Sequence, residues 1–361
     1  MKESSLVARP RVLHVVERMG GGLADAVISY AQRAHDVEHH LIFARSNDAS
    51  FDEDELECFT SITVFGDGHL RRIRQVSRLS RSLSIDIIHG HSAFGGFYAR
   101  LARLRSSVAI AYTPHCFPFE RRDVAGPVRL GFLAVEWALA KNTTVFIACG
   151  RREQELSRRL SARASTLYVT NVARIPPQDS SRATPQHDEA LVVGVGRIMQ
   201  QKGTTAFAEI AATIREQPQS SPTRFVWIGD GADDVLRRQL ADAGVEITGW
   251  LDRADVLELM GRATIYLHTA SWEGFPIALL EAVAVGTPAL AIRRPYTLGL
   301  PPEILADEDD AARRIGDLLR SSELRGRTHE AARRAFDANN PREQSRQLTS
   351  AYGIGLASTR R

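Results

Sequence analysis

Glu273 and Glu281 stand eight residues apart, the only pair of glutamates in the chain with that spacing. Their setting gives the pair a chemistry. The apolar run 263–267 (ATIYL) reads as a buried strand. Ser271-Trp272-Glu273-Gly274-Phe275-Pro276-Ile277 then leads into a helix whose Leu279, Leu280, Val283 and Ala284 form an apolar face. Pro276 suits the first turn, where a missing N–H costs nothing. Free backbone N–H groups at such a helix start favour an anion. Two carboxylates on either side of it accept hydrogen bonds from hydroxyls. Phosphate plus hydroxyls describes a nucleotide sugar.

Cationic groups occur in a matching context. Arg197 and Lys202 are five apart across a strand-to-helix turn, Gly196 to Gly203, where both can reach one phosphate pair. Arg offers a planar fork and Lys a point charge. Only Lys2, Lys141 and Lys202 are lysines in the whole chain, so a lysine inside a motif stands out. Gly229, in the run FVWIGDG, and Thr248-Gly249-Trp250-Leu251 mark tight turns after two further strands. Near the N-terminus, Gly20-Gly21-Gly22 follows the first strand, and only glycine lets backbone N–H groups approach a diphosphate so closely. No GxGxxG and no GxxxxGK[ST] is present, which argues against nicotinamide cofactors and P-loop chemistry. His89 and His91 share one face of a strand, and with His115 they have the donor types for zinc. Their spacing matches no standard zinc signature, so no metal is expected. Asp52-Glu53-Asp54 and Asp307-Glu308-Asp309 fit DxD but lie in acidic runs and read as solvated loops.

These residues need strands to carry them. Short apolar runs at 12–16, 40–44, 62–65, 86–89, 108–112, 145–148 and 167–169 alternate with helical patterns. A second alternation has strands at 191–195, 225–228, 246–248, 264–267 and 289–292, and from about residue 311 the pattern is helical. Strand–helix alternation predicts α/β folding with parallel sheets covered on both faces. Residues 176–189, rich in Pro, Ser and polar side chains, read as a linker. The expected division is 1–175, linker, 190–340 and a terminal helix at 341–361. At 361 residues, 43% hydrophobic and 25% charged, the chain suits two globular domains. Three cysteines without CxxC spacing fit a reducing compartment. The N-terminus lacks a signal-peptide core and no run reaches membrane-span length, so a cytoplasmic protein is expected. The net charge of +3 is too small to argue for nucleic acid. Residues 1–185 nevertheless hold 25 Lys and Arg against 19 Asp and Glu. The arginines at 71, 72, 74, 78 and 81 are either the solvated face of a covering helix or a contact for anionic membrane, peripheral on its inner face.

The whole arrangement resembles the retaining glycosyltransferases of the family 4 type, with their glutamate-x7-glutamate motif: the matching stretch is Glu273 to Glu281, followed by Gly286-Thr287-Pro288. The resemblance is strong from 190 to 292 and looser before. It implies a GT-B fold: two Rossmann-like domains facing a cleft, with the C-terminal helix crossing back to the first. It implies a UDP-sugar or GDP-sugar donor, no cofactor, and a glycan or lipid-linked glycan acceptor in cell-envelope polysaccharide synthesis. Arg197, Lys202, Gly21, Gly22 and the turn Phe275-Pro276-Ile277 would face the diphosphate; Gly229 would border the base. Glu281 would hold ribose hydroxyls, Glu273 the sugar, and His115 its outer hydroxyl. Phe94-Gly95-Gly96-Phe97 looks like the acceptor-side loop. The chain departs from the family at Val172, where glycine is usual, and at 292–305, where a glycine-rich turn is replaced. A nucleotide-sugar 2-epimerase and a non-catalytic nucleotide-sugar-binding module are the competing readings.

Overall fold

The computed structural model describes residues 9–45, 53–102, 108–175, 189–217 and 222–359. The expected linker falls almost wholly on 176–188, outside the described residues. The chain divides into two compact units. The first runs to Glu120, resumes at Ala125–Val172 and takes in the chain from Asn340; the second is Arg121–Val124 with Ala173–Asn339.

The first unit is built on a seven-stranded sheet. Its strands are β1 (Arg11–Arg18), β2 (Glu38–Ala44), β3 (Ser61–Val64), β4 (Ile87–His91), β5 (Ala109–Thr113), β6 (Val145–Ala148) and β7 (Ser165–Tyr168), in the order β3-β2-β1-β4-β5-β6-β7. Helices α1 (Gly21–Arg33), α2 (His69–Ser82), α3 (Ser92–Ala102), α4 (Gly126–Ala140) and α5 (Arg151–Leu160) connect them. The second unit has β8 (Ala190–Val195), β9 (Thr223–Ile228), β10 (Glu246–Ile247), β11 (Ile265–His268), β12 (Ala289–Ile292) and β13 (Leu305–Ala306), ordered β10-β9-β8-β11-β12-β13. Its helices are α6 (Thr204–Glu216), α7 (Asp234–Asp242), α8 (Arg253–Arg262), α9 (Ile277–Ala284), α10 (Ala311–Arg320) and α11 (Ser322–Ala335). All of these strand pairs are parallel. The strands read as near-continuous apolar runs because both faces are covered; Val12 to Val16 of β1 are all buried.

Each sheet reverses its strand order once, between β1 and β4 and between β8 and β11. Loops leaving the carboxyl ends diverge at such a point and open a crevice. The loops after β1, β4, β8 and β11 carry most of the candidate residues. The predicted strands all form, within two residues of their expected ends. The edge strand β13 was not anticipated, since two residues show no period.

The last helix, α12 (Pro341–Thr359), packs on the first unit. Its buried Gln344 accepts from Ser29 at 2.7 Å and donates to the Thr170 carbonyl at 2.7 Å. Leu348, Ala351 and Tyr352 join the core beneath β4, β5 and β6. Among the described residues no helix is long and apolar enough to cross a membrane.

One expected loop is a helix. Phe94-Gly95-Gly96-Phe97 lies inside α3. A Cβ on Gly95 would meet the Val15 carbonyl at 2.3 Å, and one on Gly96 the Tyr112 ring at 2.1 Å. These glycines let α3 lie close on the sheet. Arg100 of the same helix is fully buried and forks onto Glu136 of α4 at 2.7 and 3.2 Å, while its guanidinium lies 3.9 Å from the Tyr112 ring centre. Tyr112 also donates to Glu136 at 3.1 Å. Breaking a buried ion pair on one side leaves the other charge uncompensated, at a cost of about 3–5 kcal/mol. Glu136→Ala should lower the unfolding free energy of the first unit by that order in urea titrations. Arg100→Met combined with Glu136→Leu should recover much of it. Equal losses in both variants would mean that the lost hydrogen bonds, not an uncompensated charge, set the cost.

Candidate functional site

In the second unit, two loops at the switch point are tied together. The loop after β8 holds Gly196, Arg197 and a short 3-10 turn, Gln200–Lys202. The loop after β11 holds residues 269–276. Ser271 N–H donates to the Gln201 carbonyl at 2.8 Å, Gln201 donates back to the Trp272 carbonyl at 3.1 Å, and Thr269 donates to the Lys202 carbonyl at 3.0 Å. Gly203 has φ +69°, and a Cβ there would meet the Thr269 carbonyl at 2.0 Å, so no other residue allows this approach. At 292–305, the expected glycine-rich turn is replaced by a stretch with a buried Tyr296, whose hydroxyl donates to the Ala270 carbonyl at 2.7 Å.

This bracing brings Lys202 onto Glu273. The ammonium donates to Oε1 at 2.5 Å, and His268 Nε2 lies 3.8 Å from Oε2. Glu273 is buried. Burial alone would push its carboxyl up; Lys202 and then His268 outweigh this and hold it below the ordinary value. Burial lowers His268 to about 4, against the pull of Glu273, so the imidazole is neutral at pH 7. Its Nδ1 is 2.8 Å from the Tyr266 hydroxyl. Glu281, one turn into α9 and buried, is paired with Arg253 at the start of α8. Arg253 also donates to the Arg174 carbonyl at 2.9 and 3.2 Å.

The remaining second-unit candidates lie in the loops that follow β8, β9 and β11. Pro276 sits at the N-cap position of α9, one residue earlier than expected, and the helix starts at Ile277. The Phe275 ring packs edge-on against Phe336, 6.0 Å between centres, so its side chain belongs to the core. Gly229 backs onto the Gly196 carbonyl and bridges to Gly249. Arg197 is half-buried in the loop after β8. Asp307 and Glu308 pair with Arg293 and Arg294, which supports the reading of the second acidic run as a solvated loop. Asp52 of the first acidic run lies outside the described residues.

In the first unit, Gly21 and Gly22 form the exposed first turn of α1, with Gly21 at φ +52°. His115 ends a connected file of imidazoles. The β1–β4 register sets His14 beside His89 and Val16 beside His91, and β2 brings His39 to the same face. His115 Nε2 lies 3.1 Å from His91 Nδ1, His91 Nε2 2.9 Å from His14 Nδ1, and His14 Nε2 2.9 Å from His39 Nδ1. His39 Nε2 is 3.0 Å from the Ala34 carbonyl. Burial lowers all four, His39 to about 4 and His115 to about 3, so all are neutral at pH 7. A carbonyl only accepts, so His39 carries its proton on Nε2 and must accept at Nδ1. The same step repeats along the file. Every member is the Nε2–H tautomer, and His115 is left with a bare Nδ1.

His14, His89 and His91 bring ring nitrogens within 4.8 Å of one another. The histidines weighed for zinc on donor type were His89, His91 and His115, for which no metal is expected; in the cluster, His14 takes the third place. Every ring nitrogen of the trio already has a partner, His89 bonding the Tyr352 and Thr113 hydroxyls at 3.0 and 2.8 Å. A metal would have to displace this network.

Sequence reasoning missed four contributors: His14, His268, Arg253 and Glu153. Glu153 is buried at the start of α5 and accepts from the Cys116 and Cys149 N–H groups, both at 2.8 Å. It thereby holds the turn at His115 and Cys116, where both residues have positive φ, +50° and +95°. Such backbone costs about 1–3 kcal/mol per residue and persists only where its surroundings impose it. His268 had a readable signal, a histidine at the end of the strand before Glu273. Arg253 and Glu153 had none.

Comparison with known proteins agrees with this construction. The glycosyl transferase 4-like domain model matches residues 21–171 and the glycosyl transferases group 1 model residues 189–321. An uncharacterized 41.2 kDa protein of the cps region of Klebsiella pneumoniae is 25% identical over 319 residues, 82% of this chain and 83% of that protein. An Escherichia coli UDP-Gal:alpha-D-GlcNAc-diphosphoundecaprenol alpha-1,3-galactosyltransferase is 26% identical over 245 residues, 61% of each chain. Among solved structures, sucrose-phosphate synthase from Thermosynechococcus elongatus superposes with a TM-score of 0.77 at 18% identity, over 97% of this chain and 100% of that one. The Anabaena protein HepE in complex with UDP-glucose gives 0.74 at 18%, over 96% and 99%. These likenesses establish the fold as GT-B. A glycosyl transferase 4-like domain is thus followed by a group 1 domain, and the chain is a glycosyltransferase.

Proposed function

We propose that the chain moves a sugar from a nucleoside-diphosphate sugar to a hydroxyl of a glycan or lipid-linked glycan in cell-envelope polysaccharide synthesis, with retention of configuration. The observation that carries this reading is the pairing of Lys202 with Glu273 beside the start of α9. A donor diphosphate entering there offers Lys202 a stronger partner. Glu273, released from the ammonium, then accepts from sugar hydroxyls. Arg197, the first turn of α9 and the Gly21/Gly22 turn add N–H donors for the charge that grows on the leaving diphosphate. Glu281 takes the ribose hydroxyls and Gly229 borders the base. His115, with Nδ1 bare, accepts from an outer sugar hydroxyl. The acceptor oxygen attacks the anomeric carbon, the bond to the diphosphate breaks, and the leaving phosphate oxygen takes the acceptor proton on the same face. No metal or organic cofactor is assigned to these steps. The envelope setting draws on the relatives, which include the galactosyltransferase named above and a Rhizobium meliloti lipopolysaccharide core glycosyltransferase. UDP-sugars are the first donors to try, since HepE was solved with UDP-glucose; GDP-sugars follow.

The test is a donor panel with and without a strong chelator, scored for hydrolysis and transfer. Turnover of one nucleotide sugar that survives the chelator is expected. Loss that Mg²⁺ restores would move the diphosphate's counter-charge to a metal. Conversion of the donor without an acceptor, to an epimer, would replace this reading by an epimerase. Tight binding with no turnover would leave a binding module. In calorimetry, Glu281→Ala should weaken nucleoside diphosphate binding about 10- to 100-fold, the range of a lost hydrogen bond to a charged group. His115→Ala should leave that affinity nearly unchanged and lower transfer.

A further inference from the structure

The segment GPVRLGFLAVEWALA of α4 contains only two polar residues, Arg129 and Glu136. Glu136 points inward to Arg100, so the outer face of the helix is almost wholly apolar. Yet that face is not covered: Leu130 is 67% exposed and Trp137 56%, and Val128, Leu133 and Val135 are exposed too. A helix that is apolar nearly all round belongs in a core or against lipid. A continuous exposed apolar patch marks a surface that meets something.

The rim of this patch identifies what it meets. Arg129 and Arg159 line the shallow groove formed by Leu130, Leu133 and Trp137 with α5. The Lys141 ammonium sits 4.8 Å over the Trp137 ring. Nearby acids are already paired, Glu120 with Arg152 and Asp123 with Arg121. An apolar centre with a tryptophan and a cationic edge fits the boundary between anionic headgroups and acyl chains. A second copy fits it poorly, because a two-fold contact through this patch would set the cations of one rim against those of the other.

We propose that α4 is a membrane-docking face, its outer side entering the headgroup layer of an anionic bilayer. The basic helix α2 is not that face. Its Arg71, Arg74, Arg78 and Arg81 are exposed, but Ile73, Val76 and Leu79 turn into the core, and Arg72 is drawn back to the Gly66 carbonyl and Tyr98. Beyond the single exposed Leu70 at its start, it has charge without an apolar side to insert. The docking proposal stands on α4 alone and its test reads binding, so it holds or fails apart from the activity proposed above.

The full chain is cosedimented with vesicles of phosphatidylcholine alone and of phosphatidylcholine with phosphatidylglycerol. Binding to the anionic vesicles only, with a blue shift of emission that Trp137→Phe abolishes, is expected. Leu130→Glu with Trp137→Glu should lower the partition at least about ten-fold, with melting temperature unchanged because both side chains are exposed. Leu130→Gln with Trp137→Gln repeats the test without added charge. Alanine at Arg71, Arg74, Arg78 and Arg81 together should change the partition by less than about three-fold. The proposal is overturned by absence of binding at moderate salt, by equal binding to neutral vesicles, or by binding that survives both α4 variants. It is also overturned if light scattering shows a wild-type dimer that those variants split and the vesicles do not bind.

Discussion

Alanine at position 202 is expected to lower kcat for sugar transfer roughly 10- to 100-fold, as loss of a charge-assisted contact that tightens in the transition state should. The chain should stay folded, since the Lys202 side chain is 30% exposed and its loss opens no core. A second effect separates catalysis from simple binding. Lys202 is the group that holds the buried Glu273 carboxyl below its ordinary value. Without the ammonium, burial prevails and the carboxyl titrates higher. The acid limb of the kcat/KM profile should therefore move to higher pH in Lys202→Ala. In Lys202→Ala with Glu273→Gln that shift should disappear, and the two losses should fall well short of adding. A variant with full kcat and full diphosphate affinity would remove the second unit from the donor site.

Acid should unfold the first unit before the second. His14, His39, His89, His91 and His115 are all lowered in the folded chain, chiefly by burial. An unfolded histidine titrates near 6.5. Below that pH the unfolded chain binds protons that the folded chain does not, so stability falls with falling pH. It is fully present above pH 6.5 and is lost towards the folded values, about 4 for His39 and about 3 for His115. At pH 5 His39 and His115 each cost about 2 kcal/mol, and His14, His89 and His91 add in the same direction, against the ~5–15 kcal/mol stability of a typical domain. In the second unit only His268 is lowered in this way among the described residues. Circular dichroism with limited proteolysis between pH 7.5 and 4 should show cleavage of the first unit's helices near pH 5 while the second resists. Equal resistance of both units down to pH 4.5 would mean that the imidazoles are hydrated and titrate normally.

Much of the fold was legible because parallel strands buried on both faces advertise themselves as short apolar runs. The second-unit site was also legible in part, since Lys202, Glu273, Pro276 and Glu281 lie in turns and helix starts whose residue types are restrictive. What stayed hidden depends on register and on distant partners. His14 and His39 look like strand residues until pairing sets them beside His91. Arg253 meets Glu281 only because α8 and α9 start near one another. Gly95 and Gly96 were read as a loop because glycine marks both a flexible turn and a close helix contact, and the sequence does not say which.

The file of imidazoles running from His115 to Ala34 has a polarity. A proton delivered to the bare Nδ1 of His115 can be handed on without moving a heavy atom: each ring gives up its Nε2 proton as it takes one on Nδ1. The positive charge then comes to rest on His39, three rings away. The shifted file is no longer the same object. His115 is left neutral but reversed, an N–H donor where it had been an acceptor, for as long as the charge stays on His39. A single proton taken up at one end is thus recorded in the tautomer of every ring along the row.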